Sequence, residues 1–115
     1  MSRYNKNKGD WGEELAASYL KEHGFTILER QFRSRFGEID IIAYKENTFH
    51  FVEVKTRSNR QFGGPFEAIN HNKMNHIMKT AQYYLLINNH PEYEISIDAF
   101  GISGEEVSFI ENVRI

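Results

Sequence analysis

The sequence contains no cysteine, and that one absence removes disulfide stapling, Cys-ligated zinc and cysteine nucleophiles together. A reducing, cytoplasmic setting is compatible with it. No window approaches the roughly 18 consecutive apolar residues of a spanning helix, so no membrane partner is expected. The basic start, Met1 to Lys8, lacks the apolar stretch of a secretory signal. A formal net charge of -2 argues against holding nucleic acid mainly by bulk positive charge. Gly63 and Gly64 are not followed by Lys-Ser/Thr, so there is no P-loop. No Ser-His-Asp arrangement can be argued. His71 and His76 are five apart and His90 is distant, which is no helical ligand pair, and all three read as surface or loop residues. There is no internal repeat or low-complexity tract.

What is present fits one small globular unit. A chain of 115 residues has room for one domain with one core, and Phe and Tyr give that core bulk. Charge is unevenly spread. Residues 30–60 hold seven Lys/Arg against four acids, whereas residues 88–115 hold one Arg against six acids. The first segment could face a phosphate backbone while the second faces away.

Residues 1–9 read as a flexible polar N-terminus and residues 10–115 as a single domain. From Asp10, a candidate N-cap with Glu13 as its capping-box partner, Trp11, Leu15, Ala16, Tyr19 and Leu20 recur at helical spacing. Gly24 fits the helix stop. Phe25–Glu29 reads as a short strand leading into a polar, basic stretch. Glu38–Tyr44 and Phe49–Lys55 read as strands joined by the polar turn Lys45-Glu46-Asn47-Thr48, hence an antiparallel hairpin. A loop over 58–72, with a chain reversal at Gly63-Gly64-Pro65, precedes a second helix over Lys73–Ile87. Its buried face is Met74, Ile77, Met78, Ala81 and Leu85, and Asn88-Asn89-His90-Pro91 stops it. Tyr93–Phe100 and Glu106–Ile110 are two further strands. The order is α-β-β-β-α-β-β, an α/β fold.

The hairpin carries the chemistry. Residues two apart on a strand share a face, so Glu53 and Lys55 lie with Phe49 and Phe51, and Val52 and Val54 point the other way. With a symmetric turn Tyr44 faces Phe49, and counting back puts Asp40 opposite Glu53. Two carboxylates set among Ile39, Ile41, Ile42, Phe51, Val52 and Val54 need a compensating charge. A divalent cation with oxygen ligands, Mg²⁺ or Mn²⁺, supplies it, and Lys55 can reach the same pocket. The bland alternative is a self-contained ion cluster in which Lys55 neutralises one carboxylate. Glu13 either serves the helix N-terminus or, if that helix crosses the sheet, reaches the edge of the pocket.

Gly12-Glu13-Glu14-Leu15-Ala16, Gly24-Phe25, Gly37-Glu38-Ile39-Asp40-Ile41-Ile42-Ala43 and Phe51-Val52-Glu53-Val54-Lys55-Thr56-Arg57 resemble the YraN-like family of small bacterial proteins. The resemblance continues through Gly63, Pro65, Glu67-Ala68, Lys73, Ala81 and Tyr84-Leu85. It implies a restriction-endonuclease-like core, a mixed β-sheet flanked by helices, beside the Holliday-junction resolvases. It also implies a nuclease site in which Asp40, Glu53, Lys55 and Glu13 take the catalytic roles, and Asp40 and Glu53 hold the metal. Two departures thin the positive surface. His76 and Lys79 stand on a helix that usually carries more arginine, and Ser96 stands where the family usually has Arg.

The function expected is Mg²⁺- or Mn²⁺-dependent endonucleolytic hydrolysis of nucleic acid phosphodiesters, with DNA as the expected partner and branched DNA a candidate substrate. Arg33, Arg35, Arg57 and Arg60 are the expected contacts to flanking phosphates. The relatives' two-fold assembly points to a homodimer. The rivals are a catalytically inactive nucleic-acid-binding protein, a structural or partner-binding protein, and a small-molecule phosphatase.

Overall fold

The computed structural model describes residues 3–57, 69–90 and 93–113. The expected reversal at Gly63-Gly64-Pro65 lies outside the described residues, as do Arg60 and Pro91.

The first helix, α1 (Arg3–Glu22), starts well before the expected Asp10 cap, so Asp10 is an internal helical residue and Glu13 is no capping-box partner. Lys and Arg are good helix formers and a lone Gly costs about 1 kcal/mol, so a helix nucleated by its packed half extends back through residues 3–10. Gly24, at φ +90, ends it. The Phe25 N–H reaches the Leu20 carbonyl at 2.9 Å and the Gly24 N–H reaches that of Lys21 at 3.2 Å, which caps the last carbonyls. The buried face is Gly12, Glu13, Ala16, Ala17 and Leu20; Trp11, expected to face inward, is exposed.

Five strands form one sheet in sequential order: β1 (Thr26–Ser34), β2 (Gly37–Lys45), β3 (Thr48–Arg57), β4 (Glu94–Ser103) and β5 (Glu106–Ile110). β3 and β4 are parallel, and the crossover between them carries the second helix, α2 (His71–Ile87). The other neighbours are antiparallel. The element order and the mixed sheet flanked by helices are those expected from the sequence. The exception is β1, which continues through the basic stretch to Ser34 and makes a hairpin with β2.

The two helices cover opposite faces. Ala16, Leu20 and Phe25 meet Ile41, Ala43, Val52 and Phe100 on the α1 side. Ile77, Ala81, Tyr84 and Leu85 meet Ile39, Ile42, Phe51 and Ile97 on the α2 side. Among the described residues, no helix is long and apolar enough to cross a membrane.

Candidate metal centre

The β2–β3 hairpin sets the geometry. Glu46 and Asn47 both have positive φ, the requirement of a two-residue turn that matches strand twist. Lys45 then pairs with Thr48 and Tyr44 with Phe49, the register expected from the sequence, and pairing runs on to Ile41–Val52. At the next step the backbone ladder gives way to side chains. The Val54 N–H donates to Asp40 Oδ2 at 2.8 Å. The pleat also breaks here. Ile39 belongs to the α2-side core and Ile41 to the α1-side core, although residues two apart normally share a face. Asp40 occupies that break, where its carboxylate turns toward β3.

Glu53 and Lys55 follow the expected alternation, because β3 pairs with β4 without a register shift from Thr48 to Arg57. Both lie on the α2 side with Phe51; Glu53 is buried and Lys55 exposed. Lys55 makes no ion pair with another described residue. The cation on Glu53 is Lys73, whose Nζ lies 2.9 Å from Oε2. Asn70 sets the first turn of α2 from which Lys73 projects, accepting the Lys73 N–H on its side-chain oxygen at 2.8 Å. In the sequence Lys73 marks a helix start and belongs to the family resemblance, but nothing there assigns it to the site. Its place one turn inside a helix that follows the second carboxylate strand was the available signal.

Glu13 enters from α1. Gly12 lets this helix approach β3 closely, because a Cβ there would overlap Thr56 Oγ1. The Glu13 carboxylate is buried and accepts from Gln31 Nε2 at 3.2 Å and Arg30 Nη2 at 3.4 Å. Gln31 has φ 55, a left-handed conformation in a strand, and stands between Arg30, paired with Ile41, and Phe32, paired with Ile39. The side chain that holds Glu13 therefore comes from the β1 position facing Asp40. Neither Gln31 nor Arg30 was singled out for the site from sequence.

The electrostatics follow from burial. Removal from water pushes the Asp40 carboxyl up to about 7; the Glu53 charge adds to that, the Val54 N–H opposes it, and Glu13 contributes further. Burial also raises Glu53, against the pull of Lys73. Lys73 is raised in turn by its hydrogen bond to Glu53. The site carries more negative charge than its own side chains relieve. Its donors are carboxylate oxygens, which suit a hard divalent ion, and the Lys73 ammonium already stands on one of them.

The expected phosphate contacts differ in state. Arg33 is paired with Glu38, and the Arg35 guanidinium lies 4.9 Å from the Phe36 ring centre. Arg57 falls at the end of β3, and Arg60 lies outside the described residues.

A separate cluster, unforeseen from sequence, joins His50, Asp98 and Glu111. His50 Nδ1 is 2.7 Å from Asp98 Oδ2. Asp98 Oδ1 accepts from Ser96 Oγ at 2.5 Å and from the Asn112 N–H at 3.0 Å. Asp98 is fully buried and well supplied with donors, so the cluster ties β3, β4 and the C-terminal segment together.

These features define a mixed-sheet α/β protein with buried and half-buried carboxylates gathered at the break in its central hairpin. The chain belongs to Uncharacterised protein family UPF0102, whose sequence model matches residues 12–102. A UPF0102 protein of Persephonella marina is 44% identical over 105 residues, covering 91% of this chain and 90% of that one. One of Clostridium botulinum strain 657 is 54% identical over 86 residues, covering 75% and 70%. One of Clostridium acetobutylicum is 41% identical over 118 aligned positions, covering 97% of each.

Proposed function

We propose that this protein is a metal-dependent endonuclease that hydrolyses phosphodiester bonds in nucleic acid, DNA in the first instance. The observation that carries the reading is the convergence of Asp40 and Glu53 at the hairpin break, with excess negative charge and Lys55 on the same strand face as Glu53. Asp40 and Glu53 would hold Mg²⁺ or Mn²⁺, and the Val54 carbonyl is a further candidate donor. A divalent ion bound there supplies charge for the scissile phosphate and acidifies an attacking water. Lys55, exposed and unpaired among the described residues, is available to orient that water and meet charge growing on the phosphoryl oxygens. Glu13, held by Gln31 and Arg30 and felt electrostatically by Asp40, would steady an outer water on the Asp40 side of the site. Arg35, Arg57 and Arg60 would contact flanking phosphates. A two-fold homodimer would present two such sites to a symmetric branched substrate.

The test is a panel of labelled duplex, single-stranded, flap and four-way-junction DNA and matching RNA, incubated with Mn²⁺ and with chelator. Cleavage that needs the metal supports the reading. A protein that binds the panel but cuts nothing is the inactive binding protein of the same fold. The Lys73–Glu53 pair favours a further alternative, an ion cluster closed on itself; that reading gains if calorimetry detects no Mn²⁺ binding.

A further inference from the structure

On the outer face of α2, Arg35 and Phe36 of the β1–β2 turn face Lys79, Gln82, Tyr83 and Leu86 across an open groove of 530 Å³. That volume is within the range of small-ligand sites. Leu86 and Tyr83 rank among the exposed large hydrophobic residues. The Phe36 and Tyr83 rings meet edge to face with centroids 6.0 Å apart, forming an aromatic corner. The Arg35 guanidinium lies over the Phe36 ring. Two cations and an amide surround these rings, and none of the described residues that line the groove is acidic.

We infer that this groove seats an unpaired nucleobase of a single-stranded or frayed segment next to the scissile phosphodiester, which rests on the nuclease reading for its substrate. Aromatic rings beside cations are the means by which proteins hold single strands: bases stack on the rings and phosphates meet the charges. Gln82 adds an amide able to hydrogen-bond a base edge. A second copy of this chain is a poor occupant, since two-fold contact would bring Arg35 and Lys79 against their own equivalents. Position supports a link to the metal site. Phe36 lies four residues before Asp40 in the chain, about 13 Å at strand rise, within reach of a few nucleotides. Gly37, between them, sits against Thr80 and His76 and so fixes the turn to α2. The substrate class is then one with unstacked bases near the cut, not a fully paired blunt duplex.

The experiment measures binding of a single-stranded oligonucleotide carrying 2-aminopurine, in chelator, to wild type, Tyr83→Ala, Tyr83→Trp and Lys79→Gln. Wild type should quench the probe by stacking. Tyr83→Ala should lose the quench and bind roughly 5- to 150-fold more weakly, the worth of one stacked base. Tyr83→Trp should restore both. Lys79→Gln should reduce the salt slope by about 0.7. Calorimetric Mn²⁺ affinity should be the same in all four proteins. Equal quenching and affinity in wild type and Tyr83→Ala overturn the inference, as does blunt duplex binding as tightly as single strand. If wild type cleaves DNA and Tyr83→Ala is unimpaired, the groove assignment falls and the nuclease reading stands. If wild type binds no nucleic acid, both fall. A concentration-dependent dimer that Leu86→Ser dissolves without changing nucleic-acid binding assigns the groove to self-association and also overturns the inference.

Discussion

Asp40 accepts the Val54 backbone N–H at 2.8 Å, so a side-chain carboxylate completes the hairpin rung beyond the last backbone pair. The proposed ligand is therefore also a structural acceptor, and the two roles separate by substitution. Asp40→Asn keeps an acceptor and should fold normally while losing Mn²⁺ binding by calorimetry and all metal-dependent cleavage. Asp40→Ala should lose the same functions and also fall in stability by about 1–3 kcal/mol in chemical denaturation, the cost of a buried N–H left without a partner.

The raised Asp40 carboxyl gives the metal-free protein a defined pH response. The unfolded chain releases this proton near pH 4 and the folded one near 7. Between those values the folded state binds more protons, so this group makes stability fall as pH rises through that window. Melting temperatures in chelator should decline over it for wild type and decline less for Asp40→Asn. Mn²⁺ must displace the same proton, so its affinity should climb by up to about tenfold per pH unit below 7 and then level off.

Lys73 competes with any metal for Glu53. Lys73→Met should raise Mn²⁺ affinity by up to about fivefold, the scale of a half-exposed ion pair. It should also cost the metal-free protein about 1 kcal/mol, since Glu53 loses its counter-charge while Lys73 keeps substantial contact with water. Calorimetry and thermal melts in chelator read the two effects, and neither requires activity.

Glu53→Gln should abolish cleavage and metal binding together. Lys55→Ala should abolish cleavage but leave Mn²⁺ affinity intact or slightly raised, because it deletes a neighbouring positive charge. A Lys55→Ala protein that cuts at the wild-type rate would remove Lys55 from the proposed mechanism.

Gly12→Ala should destabilise the protein by about 1–3 kcal/mol despite the better helix propensity, because the new methyl overlaps Thr56 Oγ1. Thr56→Ala in the same chain should recover most of the loss. Denaturant titrations of the single and double variants give the coupling directly.

The part of the fold legible in sequence is the part governed by local periodicity and turn chemistry. Strand alternation and the polar turn gave the β2–β3 register, and with it the juxtaposition of Asp40 with Glu53. The Lys73–Glu53 pair, the Gln31–Glu13 contact and the His50–Asp98 pair join residues far apart in sequence, so no periodic signal announces them. The extent of β1 was hidden because a sparsely buried edge strand shows little alternation. Trp11 satisfies helical spacing and is still exposed, since spacing names a stripe but does not say how far the sheet extends beneath it.

β1 has one more consequence. Between Ile27 and Glu29 its register shifts by a residue, and three positions later Gln31 turns left-handed. A strand with a surplus residue and a reversed dihedral offers no even row of N–H and C=O groups for another chain to pair with. Glu29, Arg30 and Arg33 add charge along the same rim. The irregularities that aim Gln31 at Glu13 thus also make this side of the sheet a poor template for strand addition, and the opposite rim, formed by β5, is the more open one for growth by that route.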